Sequence, residues 1–464
     1  IRKNFSDFGL LLPFFAIIKK NKCGNPQKYF TERMEIKRDI YLKQLIRLKD
    51  NGRIKIITGI RRCGKSYLLD PIYSNYLKLV GVHQSQIIKV SFEGDMNLEL
   101  RDPIELGKYI RNQIIDKKKM YYVFIDEIQK VKPIKNPYIK NDADEITFVD
   151  VLLGLKNIKN VDVYVTGSNS VMLSTDVLTS FRDRGDEINV HPLSYKEFYS
   201  FKNDEDSWDD YIKYGGMPEA VLKQTVKEKS DYLKRLISDT YLKDIIERNQ
   251  INNDEEILDE LLNIISSSIG SYTNSTKLAN SFESIKHVKI SSYTVSKYIN
   301  YFIQAFVLNK SYRYNIKGKK YIDTPLKYYF TDVGLRNARL NFRQTEESRL
   351  MENVIYNELL IRGVNVDVCV VEYICKYKNN KNIRKQFEVD FVANKGNKTY
   401  YIQSTLNLDS KEKLEQETNS LKRINDSFKK VIISKTKPLF NYDDNGSLYI
   451  SLKDFLLNDD ALDQ

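Results

Sequence analysis

Eight consecutive residues, Gly59-Ile60-Arg61-Arg62-Cys63-Gly64-Lys65-Ser66, fit the pattern G-x-x-x-x-G-K-[ST]. Its glycines let backbone N–H groups turn inward around phosphate oxygens, and a helix opening at its end adds the partial positive charge of an N-terminus. In such a loop Lys65 is expected to reach the β and γ phosphates of ATP, and Ser66 to supply one Mg²⁺ ligand. Further on, the apolar run 121–125 ends in the adjacent carboxylates Asp126 and Glu127. That order suits phosphoryl transfer, with Asp126 holding Mg²⁺ and Glu127 polarising the attacking water as general base. A third apolar run, 161–165, leads into Thr166-Gly167-Ser168-Asn169, polar side chains at a strand end where α/β sheets bind ligands.

These groups need a sheet to hold them. Apolar strands at 54–57, 86–92, 121–125 and 161–165, separated by helical stretches, imply an α/β domain with a mostly parallel sheet covered on both faces, spanning 34–201. Pro71, a few residues into the helix after the loop, is expected to kink it. An acidic stretch at 203–210 then opens a helical lid or linker, 202–250, whose apolar positions recur at three and four residues.

Charge locates a second candidate function. The chain has 464 residues and a net charge of +12, and residues 271–330 carry ten Lys or Arg against two Asp or Glu, together with thirteen aromatics. The helix expected at 291–306 buries Val295, Tyr298, Ile299, Phe302 and Phe306 on one face and leaves Lys297 on the other. With a short helix before it, near 276–282, and a basic hairpin after it, at 307–324, the block 251–335 resembles a winged helix-turn-helix. Lys297, Lys310, Arg313, Lys317, Lys319 and Lys320 are then the candidate phosphate contacts to double-stranded DNA.

The remaining block, 336–464, reads as a small α/β domain. Glu352 in a helix, Glu388 and Asp390 in a strand, and Gln403 and Thr405 in the next strand resemble the PD-(D/E)xK restriction-endonuclease-like fold. Gln403 stands where active members carry a metal-binding Glu and Thr405 where they carry Lys, which implies a degenerate site without cleavage.

Taken with the P-loop, the DE-ending strand and the TGSN segment, two further runs complete a resemblance covering most of the chain from Met34. They are Phe181 to Asp186 followed by His191-Pro192-Leu193-Ser194-Tyr195-Lys196-Glu197-Phe198, and Tyr214-Gly215-Gly216-Met217-Pro218-Glu219. The sequence resembles prokaryotic AAA+ ATPases with a fused C-terminal domain of unknown function. The resemblance implies sensor roles for Thr166, Ser168 and Asn169, and an arginine finger at Arg182 or Arg184, in cis or toward a neighbouring subunit of a homo-oligomer.

Three histidines lie far apart and no two of the four cysteines form a CxxC pair, which argues against a zinc site or a disulfide scaffold and for a reducing, cytoplasmic setting. The longest uncharged apolar run, 10–18, is nine residues, too short to span a bilayer. The chain opens with Ile while Met34 precedes the first domain start, so residues 1–33 are expected to be a non-native or disordered upstream extension. The leading expectation is an ATPase using ATP and Mg²⁺ to control a DNA-directed region. A slow nucleotide-gated DNA- or protein-binding switch and an ATP-controlled nuclease are the other two readings.

Overall fold

The computed structural model describes residues 36–139, 144–168, 184–252, 254–316, 318, 320–344, 346–376 and 382–464. Its first sheet is built from β1 (Ile54–Thr58), β2 (Ile87–Ser91), β3 (Tyr121–Asp126), β4 (Val161–Thr166) and β5 (Gly185–Asn189) in the order β2-β3-β4-β1-β5. Every pairing is parallel. All five C-terminal ends therefore lie on one edge. Alternation splits the apolar residues between two cores, Tyr122, Phe124 and Tyr164 on one face and Val123, Ile125 and Val163 on the other. Strand β5 lies in a run that hydropathy did not single out, because Gly-Asp-Glu-Ile-Asn offers a single apolar side chain.

The helix after the P-loop is interrupted at Asp70 (φ −142°, ψ 112°), the residue before Pro71, and resumes at Ser74. Proline disfavours helical geometry at the residue it follows. From residue 207 the chain is helical through α1 (Ser207–Tyr214), α2 (Lys243–Asn249), α3 (Glu255–Ser267), α4 (Ser275–Lys286) and α5 (Ser292–Gln304). Val295, Tyr298, Ile299 and Phe302 are buried as the helical periodicity requires, in a core shared with the P-loop side of the first sheet. Phe306 falls beyond the helix, with φ +57°.

The second sheet changes the expected division of the chain. Strands β6 (Leu308–Asn315), β7 (Lys320–Phe330), β8 (Asn365–Lys376), β9 (Asn382–Lys395), β10 (Lys398–Thr405), β11 (Lys429–Ser434) and β12 (Leu448–Ser451) form seven strands in the order β12-β11-β10-β9-β8-β6-β7. The β6–β7 hairpin is therefore not a free wing. Arg313 to Asn315 pair in parallel with Val368 to Val370, so the hairpin extends the C-terminal sheet across the boundary expected at residue 335. A hairpin edge with unpaired N–H and C=O groups gains a full ladder by this addition. Strand β7 also runs on to Phe330, well past the expected end, because Tyr328 to Phe330 pair with Leu308 to Lys310. Helices α6 (Val333–Arg339), α7 (Glu347–Ile361) and α8 (Lys411–Lys422) follow, and Arg38–Gln464 form one compact unit.

Candidate functional site: a P-loop centre and an acidic cluster

Strand β4 lies between β1 and β3, so the end of β4 separates the P-loop from the acidic strand end. Thr166, its last residue, touches both carboxylate positions. Its hydroxyl donates to Asp126 Oδ1 and accepts the Glu127 N–H at 3.0 Å. Ser66 Oγ donates to the same Asp126 oxygen at 2.9 Å, which joins the P-loop to the acidic strand. Glu127 has φ +57°, and its carboxylate accepts from Gln129 Nε2 and, at 3.2 Å, from Ser168 Oγ. Lys65 is buried, its Nζ donating to the carbonyls of Gly59 and Ile60 at 3.0 and 3.1 Å. A hydroxyl and a carboxylate aimed at one point are hard oxygen donors, the set Mg²⁺ takes alongside substrate phosphates.

Two cations border this centre, Arg61 of the P-loop itself and Arg248, which lay outside the expected set. Arg61 binds Asp244 of α2 at 2.7 and 2.9 Å. Burial opposes the Arg61 charge, and the Asp244 carboxylate outweighs it, holding the guanidinium above its ordinary value. Arg248, one turn along α2, is lowered by burial, with Asp244 and Glu127 acting the other way. Sequence reading missed both partners because α2 reaches the P-loop only through the fold. Gln129, two residues after Glu127, was within reach of local inspection.

Among the expected finger residues, Arg184 precedes β5 and its carbonyl accepts from the N–H of Ile54, the first residue of β1. That is the opposite end of the strand from the P-loop, roughly 13 Å away at about 3.3 Å per residue. Arg184 therefore does not serve the P-loop of its own chain, which corrects the cis option for it. Arg182 and Asn169 lie outside the described residues.

Of the candidate phosphate contacts, Lys297 of α5 is exposed and Lys310 of the hairpin is half-buried beside Tyr312. Arg313 is a correction: it is buried, donates to Gln386 Oε1 and lies 5.2 Å from the Tyr272 ring centre. Pairing β6 with β8 turned it inward. Lys317 and Lys319 lie outside the described residues, and Lys320 opens β7.

In the second sheet, carboxylate oxygens of Glu352, Glu388 and Asp390 lie within 4.8 Å of one another. A cation from the hairpin stands among them. Lys327 of β7, 3% exposed, binds Glu352 at 2.8 Å and also pairs with Glu388, while Tyr329 donates to Glu352 at 2.6 Å. Burial opposes the Lys327 charge, but Glu352, Glu388 and Asp390 outweigh it and hold the ammonium above its ordinary value. Burial and neighbouring Glu352 push Asp390 up to about 7, against Lys327 and the Ser404 N–H and hydroxyl, which donate at 2.8 and 2.6 Å. Gln403 donates to Glu417 at 3.3 Å, and Thr405 is buried with its hydroxyl on the Asn407 carbonyl. Lys327 gave no separate signal in the sequence, being one of ten basic residues in its window.

A sheet with its P-loop strand inside, a second strand ending in Asp-Glu and a hydroxyl strand between them defines a P-loop nucleotide-binding protein of the AAA class. Residues 51–199 match the family model described as AAA domain, and 205–346 match one described as Domain of unknown function (DUF8612). The chain belongs to the same family as an uncharacterized protein of Haemophilus influenzae, 31% identical over 406 residues, 86% of this chain and 93% of the relative. An uncharacterized protein of Methanocaldococcus jannaschii is 29% identical over 379 residues, 77% of this chain and 74% of that one. Among solved structures, a Walker-type ATPase of Pyrococcus abyssi aligns over 66% of this chain and 96% of its own with 14% identity and a TM-score of 0.45. The Aeropyrum pernix ORC1 protein, solved in complex with DNA, aligns over 67% and 95% with 12% identity and a TM-score of 0.28. No helix among the described residues is long and apolar enough to cross a membrane.

Proposed function

We propose that this protein hydrolyses ATP with Mg²⁺ and that nucleotide state governs a DNA-directed region built from the winged-helix-like helices and the second sheet. The carrying observation is the single network Ser66–Asp126–Thr166–Glu127–Ser168 beside the P-loop. Backbone amides of Gly59 to Ser66 and the Lys65 ammonium hold the phosphates. Ser66 and Asp126 would hold Mg²⁺, which would supply charge neutralisation to the phosphates. Glu127, kept in place by Ser168 and Gln129, orients the attacking water and takes its proton. Thr166 ties the metal carboxylate to the base, the link a phosphate sensor needs.

The DNA-directed part rests on exposed Lys277, Lys286, Lys289 and Lys297 with exposed Tyr293, Tyr312 and Tyr321 in the same block. Cations that neutralise phosphates bring salt-dependent affinity, and exposed rings offer stacking surfaces. Turnover measured with and without duplex DNA at two salt concentrations tests the reading. Stimulation by DNA that fades with salt is expected; turnover indifferent to DNA at both salts leaves an ATPase whose basic block serves another partner.

A further inference from the structure

Two sequence runs that the nucleotide chemistry does not use, His191 to Phe198 and Tyr214 to Glu219, lie against each other and against the P-loop. Val190, the residue just before the first, donates its N–H to the Thr58 carbonyl at 2.8 Å and accepts from Cys63 Sγ at 3.1 Å. A Cβ on Gly59 would stand 2.1 Å from the same Val190 carbonyl oxygen, so the strip and the phosphate loop are in direct contact. Three residues on, Leu193 N–H donates to the Gly216 carbonyl at 2.8 Å, and Tyr211 of α1 donates to the Leu193 carbonyl at 2.9 Å. Pro218 Cγ lies 3.9 Å from where a Cβ on Gly64 would stand, giving the second run its own contact with the loop.

The other side of this seat is Asp332, between β7 and α6. Its carboxylate is buried and accepts the N–H of Gly216 at 2.7 Å and of Leu335 at 3.1 Å. Burial raises it to about 6, against backbone N–H bonds that also include Gly334 and Met217, so it is ionised at pH 7.5. The approach is as close as backbone permits. A Cβ on Gly215 would fall 2.2 Å from an Asp332 oxygen, on Gly216 2.1 Å from the Leu193 carbonyl oxygen, and on Gly334 2.0 Å from the Tyr214 carbonyl oxygen. Each distance is far inside van der Waals contact, so side chains at these three positions would force the segments apart. Asn337 of α6 then donates to the Ile212 and Lys213 carbonyls at 3.0 and 2.9 Å, closing the end of α1.

We propose that Asp332 is a positioning residue for the nucleotide site. It fixes the Tyr214 to Pro218 run, which with the Val190 to Leu193 strip backs the phosphate loop, and so joins that loop to β7 and the second sheet. The inference rests on the P-loop reading and gives its two unassigned runs a task. A buried carboxylate with several amide donors and, among the described residues, no ion-pair partner is a rigid joint, and whatever coupling it carries between its two sides is reciprocal.

Hydrogen exchange of the full native chain, with and without saturating Mg²⁺-ADP, tests the joint. Peptides covering 211–218 and 330–337 are expected to exchange severalfold more slowly with nucleotide, along with those of the P-loop. Asp332→Asn should weaken Mg²⁺-ADP binding about tenfold and raise KM for ATP while kcat stays within about twofold, since the catalytic carboxylates are untouched. P-loop protection without change at 211–218 and 330–337 overturns the inference, as does an Asp332→Asn protein that binds nucleotide like the native one. If that variant does not fold, exchange of the native chain decides alone. A native chain that binds no Mg²⁺-ADP removes the P-loop reading, and this inference with it.

Discussion

At the scale of single residues, the nucleotide centre separates binding from chemistry. Lys65 is the loop cation whose ammonium is held on the loop's own Gly59 and Ile60 carbonyls, so Lys65→Ala should abolish tight ATP binding, read by titration with a fluorescent nucleotide. Glu127→Gln keeps the shape and the hydrogen bond from Ser168 but cannot take a proton, so nucleotide should bind as before while turnover is lost. A Gln variant that turns over at the native rate would remove Glu127 from the role of base. Arg61 and Arg248 both lie within electrostatic reach of Glu127. Arg248→Ala should therefore lower kcat more than KM.

At the scale of elements, the hairpin β6–β7 decides what the second sheet does. It brings Lys327 into the cluster of Glu352, Glu388 and Asp390, where the ammonium supplies the positive charge that three converging carboxylates require. Removing one partner of such a buried group leaves uncompensated charge, at a cost of roughly 3–5 kcal/mol. Lys327→Ala should show that loss as a lower denaturation midpoint. With a lysine already among the carboxylates and an amide at Gln403, no Mg²⁺-dependent cleavage of single-stranded, duplex or branched DNA is expected. Asp390→Ala should leave ATP turnover intact. Nicking by the native protein that disappears in Asp390→Ala would show instead that the cluster is a working nuclease centre.

At the scale of the whole molecule, the position of Arg184 and the burial of His191 each have a measurable consequence. Arg184 sits at the opposite end of the first sheet from its own P-loop, so a finger role requires a second copy. Turnover per chain should then rise with protein concentration, and Arg184→Ala should cut it on the order of 10³-fold. Turnover independent of concentration and unchanged in Arg184→Ala would exclude that role. Burial, helped by Arg38, lowers His191 to about 4. The unfolded chain takes up a proton near pH 6.5 and the folded one does not until about 4. Stability from this group is thus full above 6.5 and lost as pH falls through that window, by about 1.4 kcal/mol per unit. Asp332 and Asp390, raised to about 6 and about 7, bind protons more readily when folded and act in the opposite direction. The test is therefore the difference between native and His191→Gln melting temperatures, which should shift against the native protein between pH 6.5 and 4.5.

The P-loop, the Asp-Glu strand end and the TGS hydroxyls were legible in the sequence because each is a local pattern whose geometry follows from one strand and the turn after it. So were β1 to β4, short runs rich in β-branched and aromatic residues set between helical stretches, the pattern of strands in a covered parallel sheet. The buried face of α5 was equally local, set by a period of 3.6. What tertiary structure alone decided is where segments distant in the chain meet. The pairing of β6 with β8 is a register choice between strands more than fifty residues apart, and it turned Arg313 inward and merged the hairpin with the last sheet. Lys327 acquired its carboxylates, and Arg61 its Asp244, through the same kind of long-range packing. A charge pattern counts lysines and arginines without knowing which will be buried. Desolvation and partner charge, which set what each one does, exist only once the chain has folded.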